Sequence, residues 1–374
     1  MAEIINHRFP VSPIQLKTGY MKAVITTNPK TTTDTGPQWL VSSSPHAHSG
    51  DSVRKIMLTV IIALMPALAA AVGLFGWDAL RLTGVCVASC VAAEVATRKL
   101  MRRDLGFGDL SAVVTGLLLA FNLPPALPSW MAMVGSVVAI VIAKQFYGGL
   151  GYNPFNPALI GRVFLLISFP VAMTTWGTWH ILLPAAGVDA ITTATPLGLV
   201  KTTLGTGQPL PFVFDGATIL QFFMGAKNGC IGEVSGLALL IGGLYLLWRR
   251  CISWQVPVFY IGTVAVFAAI LWLTDPTHNY NPLFHILTGG LVLGAFFMAT
   301  DMVTTPVTNT GRVFFGIGCG VLTMVIRKWG GYPEGVSFAI LIMNAFTPLL
   351  NRMTRPRVFG HQRGTKGQRG KGTK

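Results

Sequence analysis

The stretch IMLTVIIALMPALAAAVGLF, residues 56–75, decides the fold class of this chain. It contains no ionisable side chain over its whole length. A helix needs about 20 apolar residues to cross the roughly 30 Å hydrocarbon core of a bilayer. The stretch therefore predicts a membrane-spanning helix close to the start of the chain.

Similar apolar runs recur through the rest of the sequence. We place them at residues 82–96, 110–127, 131–147, 158–172, 231–248, 254–273, 283–300, 313–326 and 336–350. Hydrophobic residues make up 52% of the 374 and charged residues 11%, against about 25% charged in an ordinary globular protein. This composition excludes a cytosolic globular enzyme and predicts an all-α polytopic membrane protein with about ten transmembrane helices.

The charge excess indicates how the chain is oriented. The sequence has 28 Lys and Arg against 13 Asp and Glu, a net charge of +15. With the N-terminus in the cytoplasm, most basic residues fall on the cytoplasmic side of the predicted helices, as the positive-inside rule requires. No basic stretch alternates with aromatic residues, so nucleic acid is not an expected partner. We expect the lipid bilayer to be a partner of this chain.

These patterns divide the chain into five segments. We predict a cytoplasmic tail over 1–53, a first five-helix membrane repeat over 54–173 and an extracytoplasmic loop over 174–230. A second, inverted membrane repeat follows over 231–351, and a basic cytoplasmic tail over 352–374.

Two passages of the first half recur in the second. TGLLLAFNLPPALP (115–128) resembles TGGLVLGAFFMATDMVTTP (288–306), and YGGLGYNPFNPALIGR (147–162) resembles WGGYPEGVSFAILIMN (329–344). Five helices per half invert the second half relative to the first. Inverted repeats with broken helices place a binding or conduction site at their interface. The repeat alone leaves the ligand open.

Few ionisable residues lie in or beside the apolar runs. They are Glu94, Asp109, Arg162, Glu233 and Asp301. A charge at mid-membrane costs at least about 2.5–3.5 kcal/mol, so each is a candidate functional residue. Arg162 and Asp301 adjoin the repeated passages, where one can hold a phosphate or ring oxygen and the other a ring N–H or a cation. For the other three we expect an interfacial position or a salt bridge to a partner subunit.

No catalytic or metal-ligating residue is predicted. Ser, His and acidic residues do not form a nucleophile elbow. The five cysteines form no CxxC pair, and we interpret them as small packing residues.

The predicted extracytoplasmic loop contains a motif for cofactor attachment. DAITTAT (189–195) resembles the Asp-x-x-Ser/Thr-Gly-Ala-Thr sequence in which an FMN transferase links the phosphate of FMN to the last Thr. Thr195 is then the FMN phosphoryl threonine, with Asp189, Thr192 and Ala194 as the rest of the motif.

The motif is not a perfect match, and the loop contains a second candidate. Thr193 stands where Gly is more common, which weakens the expected tight turn rather than the acceptor. Thr218 also ends a Gly-Ala-Thr sequence, but Phe212 occupies the position of the leading Asp. We favour Thr195.

Together, four passages resemble a known family. They are LVSSSPHAHSGDSVRKIMLTVIIALMPAL (40–68), GGLGYNPFNPALIGRVFL (148–165), DAITTATPLG (189–198) and MATDMVTTPVTNTGRVFFGIGCGVLT (298–323). The family comprises the D subunits of Rnf ion-translocating ferredoxin:NAD oxidoreductases and, more distantly, the B subunits of sodium-translocating NADH:quinone reductases. The resemblance covers residues 40–360, and the SSSPH passage favours the Rnf subunits.

The resemblance implies an electron-carrying subunit that is active only within its complex. It implies covalent FMN at Thr195 outside a bacterial inner membrane and a second, non-covalent flavin, riboflavin, among the helices. It implies electron flow coupled to Na⁺ or H⁺ movement. Implied partners are the other Rnf subunits, including a second FMN-bearing subunit and iron–sulfur subunits, and the FMN transferase during maturation. The matching flavin-region residues are Asn153, Asn156, Arg162, Asp301, Thr304 and Thr305.

Two other functions remain open from the sequence. A B-type subunit of a quinone reductase would use the same flavin chemistry with quinone as the acceptor. A solute channel or transporter built from inverted repeats would have no redox role and no flavin.

Overall fold

The helices of this protein follow the apolar runs of its sequence. The structure, a computed structural model, describes residues 52–103, 108–176, 194–206, 210–212, 214–225, 227–233 and 235–356. Its first-half helices are α1 Val53–Phe75, α2 Trp77–Leu100, α3 Ser111–Phe121, α4 Ser129–Val137, α5 Pro157–Ser168 and α6 Pro170–Thr174. The later helices are α7 Pro196–Gly205, α8 Gly216–Met224, α9 Gly236–Trp248, α10 Gln255–Thr274, α11 Pro282–Leu287, α12 Leu291–Leu293, α13 Asn309–Trp329 and α14 Val336–Met353.

Three short segments of π-helix or 3₁₀-helix lie next to these α-helices. α4 continues as π-helix over Val138–Gln145, α12 continues as π-helix over Gly294–Met298, and a 3₁₀ turn, Ile231–Glu233, precedes α9. All ten predicted runs thus have helical counterparts, and the described residues contain no β-strand.

The helices have the length and surface of membrane spans. Five of them, α1, α2, α10, α13 and α14, are long and apolar enough to cross a membrane. Large apolar side chains such as Val266 and Ile270 are more than half exposed on the outside of the bundle. An apolar exterior of this kind suits lipid rather than water. The prediction of an all-α polytopic membrane protein is confirmed.

The runs at 110–127 and 283–300 are interrupted rather than continuous. α3 ends at Phe121, just before Pro124 and Pro125, which lack the N–H groups a further turn would need. In the second run α11 ends at Leu287, and Gly289 has a φ of +70°. The second run therefore contains a Gly-Gly break at 289–290 that the repeat did not predict.

The two halves pack against each other through equivalent helices. α1 packs on α9, and α5 packs on α14. α9 approaches α1 so closely that a Cβ on Gly242 would collide with the carbonyl oxygen of Ala63. One hydrophobic core runs through both halves and includes Leu119 and Leu293, which are fully buried.

Matching polar contacts support the internal repeat. Near the end of the fourth span of the first half, Lys144 Nζ donates to Ser111 Oγ at 2.6 Å, at the start of α3. Near the end of the fourth span of the second half, Arg327 donates to His285 O at 2.6 Å and Thr288 O at 3.0 Å. In each half a basic side chain thus holds the segment where the broken helix begins.

Glu94 and Asp109 pair with basic residues of the same chain, near the end of α2 and the start of α3. Glu94 accepts from Lys144 at 3.0 Å and from Arg98 at 2.9 Å. Asp109 accepts from Arg98 at 3.3 Å and from the backbone of Ser111 at 3.0 Å. Buried charges need such partners because desolvation is costly.

Candidate functional site

Thr195 occupies the N-cap of α7. Its Oγ1 accepts a hydrogen bond from the backbone N–H of Gly198 at 3.1 Å, and the residue is 6% exposed. Pro196 follows at the first helical position, where its missing N–H costs nothing. The N-terminus of this ten-residue helix is favourable for an anion, because its first N–H groups and its dipole attract negative charge.

Gly198 lies directly beside the Thr195 hydroxyl. A methyl group on Gly198 would lie 3.1 Å from Thr195 Oγ1, so the glycine keeps one side of the hydroxyl clear. α7 also borders a cavity of about 380 Å³, within the ~300–1,000 Å³ of typical small-molecule sites. The cavity is lined by aromatic and basic residues that include Tyr280, Lys201 and Arg327.

Two predicted motif residues, Asp189 and Thr192, lie outside the described residues. Ala194 is described and partly buried. The competing Thr218 lies in the first turn of α8, where its backbone N–H and its hydroxyl bind Asp215 Oδ1 at 2.9 and 2.8 Å. Asp215, not Thr218, is therefore the cap of that helix.

A second cavity, here called the Asn153 cavity, brings three predicted residues together. Asn153, Asn156 and Asp301 all line it, with apolar walls from α1, α3 and the 291–298 helix. Asn153 Nδ2 donates to Phe155 O at 3.1 Å, but Asn153 Oδ1 is buried without a partner. Buried polar atoms normally have a hydrogen-bond partner, so this unpaired acceptor marks a position where a donor is missing.

Asn156 joins the two halves beside this cavity. Its Oδ1 caps α5 by accepting from the Ala158 N–H at 3.0 Å, while its Nδ2 donates to Met298 O at 3.3 Å. Thr304 and Thr305 stabilise the adjoining turn: Thr304 Oγ1 donates to Asp301 Oδ2 at 3.2 Å, and Thr305 Oγ1 donates to Ala299 O at 2.9 Å. Neither threonine lines the Asn153 cavity.

Arg162 is the sixth predicted flavin-region residue, and it lies elsewhere. Its Nη1 donates to Asn122 Oδ1 at 2.6 Å, at the end of α3, and its Nη2 contacts Glu334. It does not line the cavity that holds Asp301. The structure therefore separates Arg162 from Asp301, which the sequence treated as a pair.

Arg162 belongs to a buried group of charges that we call the junction cluster. Its members are Arg162, Lys227, Glu233, Arg327 and Glu334. Arg162 comes from the first half and the others from the second half or the segment that leads into it. Sequence analysis missed Glu334 and Lys227 and left Glu233 as an interfacial residue. The internal repeat could have pointed to Glu334, because this residue lies in GGYPEG, the second-half counterpart of the first-half turn GGLGYN.

The acids and the lysine of the junction cluster have shifted pKa values. Burial, and then the neighbouring Glu334, raise the pKa of Glu233 well above its usual range. Burial also lowers the pKa of Lys227 to about 8. Burial opposes ionisation of Glu334 too, but Arg162 outweighs it and leaves the pKa of Glu334 below its ordinary value.

The junction cluster adjoins the segment that carries Thr195. A methyl group on Gly289 would lie 2.8 Å from Arg327 Nη2 and 2.9 Å from the side chain of Leu197, two residues after Thr195. α7 thus packs against the Gly-Gly break, next to the cluster.

The fold and these sites define a polytopic helical membrane protein with buried polar sites at broken helices. A family model described as the NQR2, RnfD, RnfE family matches residues 40–360. This chain belongs to that family.

Several relatives match nearly their whole length. The D subunit of a Na⁺-translocating ferredoxin:NAD⁺ oxidoreductase complex from Acetobacterium woodii is 49% identical, covering 86% of this chain and 95% of the relative. The D subunit of a proton-translocating ferredoxin:NAD⁺ oxidoreductase complex from Clostridium ljungdahlii is 47% identical, covering 86% and 96%. The D subunit of an ion-translocating oxidoreductase complex from Salmonella typhimurium is 42% identical, covering 87% and 99%.

Proposed function

We propose that this chain is the D subunit of an ion-translocating ferredoxin:NAD⁺ oxidoreductase complex and relays electrons within its membrane part. It works with the other Rnf subunits, including a second FMN-bearing subunit and iron–sulfur subunits. The chain lies in the bacterial inner membrane with both termini in the cytoplasm. Electron flow through the complex is coupled to movement of Na⁺ or H⁺.

The observation that carries the proposal is the setting of Thr195. A buried hydroxyl at a helix N-terminus, with a glycine beside it, supports attachment of FMN through a phosphoester. The α7 N-terminus then stabilises the phosphate charge, and Lys201 in the adjoining cavity supplies a further positive charge. FMN supplies the electron transfer, while the protein sets its position and surroundings.

The second part of the proposal places a non-covalent riboflavin at the Asn153 cavity, which has a volume of about 90 Å³ and must widen to admit the flavin ring. Asn153 Oδ1 is free to accept from a ring N–H, and Phe296 and Phe297 offer apolar walls. Asp301 and Asn156 orient polar edges of the ligand at the ends of the broken helices.

The Thr195 assignment is tested by in-gel flavin fluorescence. The chain is co-expressed with an FMN transferase, denatured and run on a gel under ultraviolet light. We expect a fluorescent band for the wild type and for Thr218→Val, and none for Thr195→Val. A band that survives Thr195→Val contradicts the assignment, and a wild type with no band contradicts the flavoprotein function and favours the channel.

The electron acceptor separates the two redox alternatives. Purified complex that reduces NAD⁺ with ferredoxin supports the Rnf function. Complex that instead passes electrons from NADH to quinone supports a B-type subunit.

A further inference from the structure

The junction cluster concentrates buried charge, and of its members only Arg327 lines either of the two cavities described above. Glu233 is 4% exposed and Arg162 6%, and Arg327 and Lys227 are buried as well. Burying this many charged groups is costly unless each finds a partner. The cluster therefore needs an account of its own.

The two carboxyl groups of the junction cluster are close neighbours. One carboxylate oxygen of Glu233 and one of Glu334 lie within 4.8 Å of each other, and both residues approach Arg162 Nη2. Two ionised carboxylates are acceptors only and repel at this range. A proton held between the two carboxyl groups removes that repulsion.

The contacts show which carboxyl carries the proton. Glu334 forms the direct ion pair with Arg162, and the positive guanidinium favours its ionised form. The nearest Glu233 oxygen, Oε1, is 3.9 Å from Arg162 Nη2 and has no hydrogen-bond partner. Glu233 is therefore the acid and Glu334 the base of the pair.

The surroundings of Glu233 favour a proton over a metal cation. Basic groups face it from three segments: Arg162 on α5, Arg327 on α13 and Lys227 before the 3₁₀ turn. Among the described residues, Glu334 and the thiol of Cys230 are its other titratable neighbours. The positive side chains oppose any added positive charge, but a metal ion also needs several ligand atoms around it, whereas a proton needs only the two carboxyl groups.

The backbone around Glu233 leaves little free space. Methyl groups on Gly229 and Gly290 would lie 3.1 Å from Glu233 Oε2 and Oε1. The carboxyl is thus enclosed between two glycines, one of them at the Gly-Gly break.

We propose that Glu233 and Glu334 bind and share one proton in a closed site where the two halves of this chain meet. The site has partners from both halves, because Arg162 of α5 holds Glu334 of the loop before α14. Release of the proton requires the two carboxyls to separate, so proton occupancy is linked to the relative position of the halves. The inference does not depend on flavin at Thr195.

Infrared difference spectroscopy of the purified complex tests the site. The carbonyl stretch of a protonated carboxyl shifts in D₂O, whereas that of lipid esters does not. We expect the wild-type minus Glu233→Gln spectrum at neutral pH to contain one deuterium-sensitive carboxyl band. The wild-type minus Asp78→Asn spectrum is the control and should lack it, because Asp78 is half-exposed beside Arg81.

A second variant guards against misfolding of the first. Glu233→Asp keeps a carboxyl group, and we expect the band to persist at a shifted frequency. A wild-type complex without any deuterium-sensitive carboxyl band overturns the proposal whatever the variants do, and so does a band that survives Glu233→Gln. In-gel flavin fluorescence at Thr195 is recorded on the same samples. Its loss would count against the proposed function and not against the proton site.

Discussion

Glu233 makes the stability of the protein depend on pH. Its pKa is raised above the ordinary 4.5 by burial and by Glu334, so the folded chain holds a proton that the unfolded chain releases. The stability contributed by this proton is complete below the unfolded pKa and is lost as pH rises toward the folded pKa. Glu233→Gln does not titrate. We expect its Tm relative to the wild type to increase as pH rises above the ordinary pKa of 4.5.

Thermal unfolding of purified protein in detergent at several pH values measures this difference. Asp78→Asn serves as the control, and its Tm difference should show no such trend. A Glu233→Gln difference that is flat or falls with pH would mean that Glu233 is ionised in the folded chain.

Lys144 provides a second residue-scale prediction. It is 1% exposed, and its Nζ lies 3.0 Å from Glu94 Oε1. Removing one partner of a buried ion pair leaves an uncompensated charge and costs about 3–5 kcal/mol. We expect Lys144→Met to lower the Tm strongly, and the double variant Lys144→Met, Glu94→Leu to recover part of the loss.

Glu94 has other partners that affect the outcome of the double variant. Arg98 and Gln145 also contact Glu94. When Glu94 is replaced, Arg98 keeps its ion pair with Asp109. A double variant that is less stable than Lys144→Met alone would show that Glu94 stabilises the protein mainly through partners other than Lys144.

At the residue scale, Thr195 as the FMN acceptor remains a prediction, and the sequence did not predict that the charges of the junction cluster come together. Glu334 and Lys227 are far from Arg162 in sequence, and only the fold brings them to it. Arg162 could be singled out because a charge within an apolar run is rare. Its partner could not, because Glu334 lies in a loop where acidic residues are common.

Among the elements, the α1–α9 contact depends on a missing side chain. A Cβ on Gly242 would collide with Ala63 O and would lie 3.0 Å from the Phe297 ring. We expect Gly242→Ala to separate the two helices and to cost about 1–3 kcal/mol, as overpacking does. The Tm of the variant measures this loss.

Gly262→Ala is the matched control for this substitution. Gly262 also lies within a long helix, but a Cβ added to it would meet no atom within 4 Å. Alanine there should be neutral or slightly stabilising, because it has the higher helix propensity. Equal Tm losses at both positions would show that close α1–α9 packing is not the cause.

Element boundaries were predictable where the local chemistry is strong. Pro124 and Pro125 mark the end of α3, and Asn156 with Pro157 marks the start of α5. The break at Gly289 and Gly290 was not predicted, because glycines are common in membrane helices. It depends on Leu197 and Arg327, which pack over Gly289 from distant segments.

For the whole molecule, the predicted orientation can be tested by labelling. Thr206 is exposed after α7, and Thr310 is exposed at the opposite end of the bundle, at the start of α13. In a Cys251→Ser background, we expect Thr206→Cys to react with an impermeant maleimide in spheroplasts. Thr310→Cys should react only after the membrane is permeabilised.

The four remaining cysteines are buried and give a low background in this experiment. The reverse labelling pattern would place Thr195 in the cytoplasm and contradict the positive-inside assignment.

The architecture itself was largely predictable, since run lengths and repeated passages are properties of the sequence. Which surfaces of the two halves meet was not, because it depends on the packing of helices far apart in the chain.

The cross-half pairing of α1 with α9 and of α5 with α14 also bears on the origin of the chain. From the repeated passages we infer that the chain arose by duplication of one unit. Such a unit by itself would lack these cross-half contacts, so it would have needed a second copy of itself to cover the same helices. After fusion the two copies were free to diverge, and the first now contains Arg162 and the second Glu334.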